Sequence, residues 1–157
     1  MPTPDFILDL RRRVGHAPLW IPAVSAVVLD DRNRVLLALR EDFGEWAVIS
    51  GILEPGEEPA VGILREIREE TGIEVDLVRV GCIDVTPQIT YTNGDQIQFL
   101  DVCFLARYGS GDPHAADDEN TDVRWFPADE LPSNIRESTL LRVEKTLAGG
   151  PEAWFRG

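Results

Sequence analysis

No stretch of this 157-residue chain approaches the ~20 consecutive apolar residues that a membrane-spanning helix requires. The N-terminus, MPTPDFILDLRRRVGH, also lacks the basic-then-apolar order of a secretory signal. Cysteine is scarce: Cys82 and Cys103 have neither metal-binding nor redox spacing, which leaves reduced core thiols. Together these absences lead us to expect a cytoplasmic protein with no membrane partner. Positive charge is deficient too, since 15 Lys and Arg against 28 Asp and Glu give a formal net charge of −13. That sign argues against sequence-independent nucleic-acid binding, which depends on basic side chains meeting phosphates. Internal repeats, low-complexity tracts and domain linkers are missing. We therefore expect 1–157 to be a single domain, with 1–16 a helical N-terminal extension and 134–157 a C-terminal helix and tail.

What is present is an ordinary globular composition, 43% apolar and 27% charged, in a chain long enough to bury a core. The most informative stretch is Gly51 to Ile73, GILEPGEEPAVGILREIREETGI. Pro59 suits a first helical position, Glu57 and Glu58 favour the positive end of a helix dipole, and Gly72 is a natural stop. At about 100° per residue, Glu66, Glu69 and Glu70 fall within roughly a 100° arc of that helix. Like charges at this spacing cost a free helix about 0.2–0.5 kcal/mol per pair, so the cluster invites a cation. Ala60, Ile63, Leu64 and Ile67 form the apolar stripe, and Glu66 and Glu70 border it, at the rim of the expected core. Gly62 costs the helix about 1 kcal/mol relative to Ala, which close approach of a loop or ligand would offset. Carboxylates in this arrangement suit hard divalent ions, Mg²⁺ or Mn²⁺.

The stretch resembles the Nudix box, G-x5-E-x7-R-E-U-x-E-E-x-G-U with U aliphatic. Gly51, Glu57, Arg65, Glu66, Ile67, Glu69, Glu70, Gly72 and Ile73 fill its fixed positions. The resemblance implies an α/β fold, the Nudix-type α/β/α sandwich with a mixed β-sheet. It also implies Mg²⁺-dependent hydrolysis of a nucleoside diphosphate linked to another moiety, by attack of water on phosphorus. By position, Glu66 and Glu70 would be metal ligands, Glu69 a further ligand or the base, and Ser50 a ligand through its backbone carbonyl. Arg65 and Glu57 would orient the glutamates. Glu119, in the run Asp117-Asp118-Glu119, stands where similar enzymes draw an added acidic ligand or base; the alternative is a solvated acidic loop. With a net charge of −13, an anionic substrate would be repelled unless metal ions invert the field locally. Homodimerisation is common in similar proteins.

The rest of the chain supports the same architecture. A helix is expected over Asp5 to Val14, ending in Arg11-Arg12-Arg13, a solvated helix end or a phosphate contact. Strands are expected over Trp20 to Asp30 and Arg34 to Arg40, with a turn at Asp31-Arg32-Asn33, and Trp46 to Ser50 leads into the box. Glu74 to Val85 reads as a strand bent at Gly81, and Asn93-Gly94 as a hairpin turn before a long strand, Asp95 to Tyr108. A loop over Gly109 to Asn120, a strand over Asp122 to Phe126 and an amphipathic helix over Glu137 to Leu147 complete the order. Trp20, Trp46, Tyr91 and Trp125 are candidates for stacking on a base, the default for such residues being core. Arg40 would meet a terminal phosphate or a neighbouring acid. Tyr91 to Asp95 resembles a YPNGD-type segment of bacterial members, with Thr92 replacing proline. His16 and His114, flanked by loop formers, have no triad-like partner and read as surface residues. The alternative to a nucleotide pyrophosphohydrolase is a catalytically silent nucleotide-binding or sensor module, which tends to lose the box glutamates retained here. A lipid-diphosphate isomerase shares the fold but needs further catalytic residues that are not identifiable.

Overall fold

Near-continuous apolar runs mark strands covered on both faces, and strand β1 (Leu19–Leu29) is buried on both sides from Ala23 onward. In this computed structural model, which describes residues 3–157, β1 lies at the centre of the sheet. Residues 1 and 2 of the expected N-terminal extension lie outside the described residues. Strands β2 (Arg34–Arg40) and β4 (Ile49–Ile52) pair antiparallel with β1, and β7 (Gln96–Ser110) pairs parallel with it from Leu19↔Ile97 to Leu29↔Arg107. Strands β3 (Trp46–Ala47) and β8 (Asn120–Pro127) flank β2, while β5 (Glu74–Val85) and β6 (Ile89–Thr90) pair with β7. The sheet is therefore mixed.

Alternation along β1 divides the core in two. Val24, Ala26 and Val28 meet Ile63 and Ile67 of helix α2 (Pro59–Thr71). Val27 and Leu29 join Leu37 and Val143 of helix α3 (Glu137–Ala148) on the other face. Helix, sheet, helix is the expected α/β/α order. A third cluster, Ile7 with Ile21 and Ile97, seats helix α1 (Asp5–Val14) on the α3 side. Among the described residues, no helix is long and apolar enough to cross a membrane.

Local signals hold where they were strongest. Asn33 (φ 58) and Gly94 (φ 88) carry the two hairpin turns, and Gly72 (φ 70) caps α2 through its N–H to the Arg68 carbonyl. Asp30 shapes the first turn by accepting the backbone N–H groups of Arg32 and Arg34. The bend near Gly81 is a register shift between Val80 and Cys82, where a Cβ on Gly81 would strike Thr146 of α3. Cys82 and Cys103 face each other across β5 and β7, buried, with free thiols.

Other expectations change. Strand β7 runs on to Ser110 and β8 starts at Asn120, so the intervening loop is shorter than its composition implied. A two-residue strand, β9 (Trp154–Phe155), pairs parallel with β5; so short a strand has no periodicity to read. Arg11 is neither a solvated helix end nor free: its guanidinium donates to the carbonyls of Ala17 and Gln96, at 2.6 and 2.7 Å, and pins α1 to β7. His16 is exposed, as expected, and its Nδ1 lies 2.8 Å from Asp95 Oδ1.

Candidate active site

The acidic cluster forms on one turn of α2, but at greater depth than the helical wheel implied. Ala60 is exposed, and the buried stripe comprises Gly62, Ile63, Glu66, Ile67, Glu70 and Thr71. Glu66 (0% exposed) and Glu70 (2% exposed) thus lie inside the core rather than at its rim. Burying a carboxylate disfavours its charged form. Burial accordingly raises the Glu66 carboxyl to about 7 against the pull of Arg65, and the Glu70 carboxyl to about 8 against the pull of Asn120.

Each of these carboxylates is half used. Arg65 Nη1 donates to Glu66 Oε1 at 2.8 Å, and Asn120 Nδ2 donates to Glu70 Oε2 at 3.0 Å. Glu66 Oε2 and Glu70 Oε1 are buried and accept no hydrogen bond. Such orphaned acceptors are rare in native structures and cost about 1–3 kcal/mol each or more when charged. Two oxygens in need of a positive partner are the donor chemistry of a hard divalent cation. As placed, the described His, Cys, Asp and Glu side chains do not converge in threes, so Glu66 and Glu70 account for the fit.

The fixed box positions now have physical reasons. Gly51 on β4 lies directly beneath Glu66, where an added Cβ would sit 2.2 Å from the carboxyl carbon. At Gly62, a Cβ would meet Leu53 at 2.5 Å and the Glu57 carboxylate at 3.2 Å, so the close approach is by the preceding loop. Glu57 receives a two-pronged pair from Arg65, at 2.8 and 2.9 Å, and the Glu54 N–H at 3.1 Å. Those bonds hold Glu57 below the usual carboxylate range and keep Arg65 charged. Glu69 sits apart: its side chain is 52% exposed and its Oε2 meets Arg65 Nη1 at 3.2 Å.

A cleft of about 470 Å³ opens on the α3 side of the sheet, between Thr139 and Arg142 of α3 and Ile7 and Arg11 of α1. Its volume is that of a small-molecule site. Ser50, Gly51, Arg40 and Glu119 also line it, so it reaches β4, the strand on which Glu66 packs at Gly51. The acidic loop is not merely solvated, because Glu119 Oε2 accepts Arg40 Nη1 at 2.8 Å on the cleft wall. Arg40 Nη2 lies 3.2 Å from Asp42 as well, so it meets acids here and stands beside any anion in the cleft. Tyr91 lines the opening, and Arg136 covers the Phe43 ring at 4.2 Å. Trp46 departs from expectation: it is 7% exposed, packs edge-on to Phe126 and lies in the core away from the cleft. Trp125 contacts Tyr108 elsewhere, and His114 packs against Gly72.

Sequence reasoning passed over Asn120, Asp101 and Arg142. Asn120 carried no local signal, since its bond to Glu70 spans 50 residues. The other two did. Asp101 interrupts an apolar strand, and Arg142 falls in the buried stripe of α3 with Thr139, Val143 and Thr146.

Comparison with known proteins agrees with this geometry. The NUDIX domain family model matches residues 19–143. A MutT-like protein of Streptomyces ambofaciens is 31% identical over 135 residues, covering 85% of this chain and 82% of that protein. The NAD-capped RNA hydrolase NudC of Vibrio atlanticus is 32% identical over 86% of this chain, which spans only 48% of that enzyme. Among solved structures, a MutT NUDIX hydrolase of Burkholderia pseudomallei superposes with a TM-score of 0.70 at 26% identity, covering 81% of this chain and 98% of that one.

Proposed function

Because the chain belongs to the NUDIX family of hydrolases, we propose that it is a divalent-metal-dependent pyrophosphohydrolase that cleaves the diphosphate of a nucleotide derivative. One observation carries this reading: the buried, unsatisfied oxygens Glu66 Oε2 and Glu70 Oε1, one turn apart on α2, with Glu66 packed on Gly51 of the strand that lines a cleft of nucleotide size. Glu66 and Glu70 would hold the cation, Mg²⁺ or Mn²⁺, with the Ser50 carbonyl. When bound, such an ion neutralises phosphate oxygens and lowers the pKa of a coordinated water.

The remaining roles belong to the chain's own groups. Arg65 engages one oxygen of Glu66 and leaves the other for the ion, and Asn120 does the same for Glu70. Glu57, occupied by Arg65 and the Glu54 N–H, is a positioning residue. Arg40 on the cleft wall would engage the phosphate that faces it. The proton released by the attacking water needs a carboxylate near the substrate. Glu119 lines the cleft, whereas Glu69 points outward beside Arg65, so Glu119 is the stronger of the two candidates. Tyr91 at the opening would border the sugar or base.

Nucleoside triphosphates, ADP-ribose, NADH, dinucleoside polyphosphates and nucleotide sugars assayed with Mg²⁺ and with Mn²⁺ test the proposal. Hydrolysis of at least one, abolished by EDTA and by Glu66→Gln, is expected. Nucleotide binding without turnover across the panel would instead identify a silent binding module.

A further inference from the structure

The floor of the cleft holds charges that metal-dependent hydrolysis does not use. Asp101 on β7 is 1% exposed and Arg142 on α3 is 7% exposed, and both line the cavity. Ser25 Oγ donates to Asp101 Oδ2 at 2.6 Å. Arg142 Nε lies 3.1 Å from the same oxygen, yet its N–H is not aligned with it and makes no hydrogen bond. A buried ion pair repays its desolvation only when its geometry is good and its remaining donors are satisfied. Within the chain alone this pair lacks an aligned hydrogen bond and leaves the Arg142 Nε–H without an acceptor, and apolar residues in place of such a pair are often neutral or stabilising. The cost is understandable if a ligand completes the pair.

The position fits that role. Ser25 lies opposite Ser50 on β4, and Asp101 lies one strand beyond, on β7. Two strand spacings, about 10 Å, therefore separate the floor from the strand that borders Glu66. A ligand whose diphosphate lies beside Glu66 and Glu70 would bring its distal group to the floor. No net positive charge there calls for a second anion, because Asp101 offsets Arg142, and Asp42, Asp95 and Glu119 stand against Arg11, Arg40 and Arg136 around the cavity. A neutral, planar acceptor suits a lining that also includes the apolar Phe99 and Val48. Guanidinium groups read carbonyl oxygens on base edges, and where an amino group stands instead, donor faces donor.

Building on the pyrophosphohydrolase reading, we propose that Arg142, oriented by Asp101, reads the substrate's base and selects a nucleobase edge bearing a carbonyl oxygen over one bearing only an amino group. The full-length chain, titrated calorimetrically with GMP, UMP and AMP in Mg²⁺, should bind GMP and UMP about 10–100-fold more tightly than AMP. Arg142→Met should bring the three affinities within about threefold of one another, and the KM ratio between ATP and GTP should collapse with them. Equal or tighter AMP binding by the parent protein overturns the proposal, as does a preference that survives Arg142→Met. Should that variant fail to fold, the parent's ranking of the three nucleotides still decides. Triphosphate hydrolysis without base preference removes this inference and leaves the proposed function standing. Base preference without hydrolysis of any diphosphate does the reverse.

Discussion

Replacing Glu70 with glutamine should make the metal-free protein more stable while destroying its activity. The side chain is 2% exposed, and burial raises its carboxyl from 4.5 to about 8. Between those values the folded chain keeps a proton that the unfolded chain has lost, so stability falls as pH rises through this window. At 1.36 kcal/mol per unit, the loss accumulated by pH 7 is about 3 kcal/mol. Glutamine has nearly the same shape, retains an oxygen for Asn120 Nδ2 and carries no charge. Allowing for relaxation around the charge, Glu70→Gln should gain about 1–3 kcal/mol at pH 8 in EDTA, a rise of roughly 3–10 °C in Tm. At pH 4.5 the difference should nearly vanish, because both side chains are then neutral in the fold. Scanning fluorimetry at the two pH values measures this, and nucleotide hydrolysis in Mg²⁺ should fall by orders of magnitude. A Tm that drops at pH 8, or a gap independent of pH, would refute the premise that a charged Glu70 is costly when no cation is present.

The same premise makes magnesium a stabiliser: a ligand at 100 times its Kd adds about 2.7 kcal/mol, so Mg²⁺ should raise the Tm of the parent and not of Glu70→Gln. Gly51→Ala places a methyl group 2.2 Å from the Glu66 carboxyl carbon. It should cost about 1–3 kcal/mol and most of the activity; a variant with parental melting and turnover would show that Glu66 does not depend on that space. Glu119→Gln frees Arg40 from a charged partner 2.8 Å away. If Glu119 takes the proton, kcat should fall about 10²-fold or more with KM little changed, whereas an unchanged rate returns the loop to solvent. At Asp30, burial raises the carboxyl, but bonds from Arg34 and Arg32 outweigh it and hold it low. Its contribution is therefore present above the unfolded value near 3.9 and is lost as pH falls through the lower folded value. Asp30→Asn should cost about 1–3 kcal/mol at pH 7, and its melting curve should approach the parent's as the pH falls into the acid range.

Much of the chain was legible because its signals are local. Pro59 and Gly72 bound α2, Asn93-Gly94 forms its hairpin turn, and the valine-rich run of β1 marks a strand covered on both faces. The spacing from Gly51 to Ile73 identified the acidic turn of α2 from residue types alone. Depth was another matter. A helical wheel reports an angle around an axis and not the thickness of what packs above it, so Glu66 and Glu70 read as rim residues although they are buried. Trp46 misled for a similar reason: it lies on the same α3 side of the sheet as the cleft, and only its packing against the distant Phe126 holds it in the core.

Composition and spacing were thus enough to place most of the elements, their order, the family and the acidic turn of α2. All of these depend on residues within a few turns of one another. Tertiary structure alone decided how those side chains are used, because the deciding contacts join distant segments: Asn120 to Glu70, Arg40 to Glu119, Arg142 to Asp101. Only folding removes water from around a carboxylate and leaves one of its oxygens without a partner, and no linear pattern records which oxygen that will be.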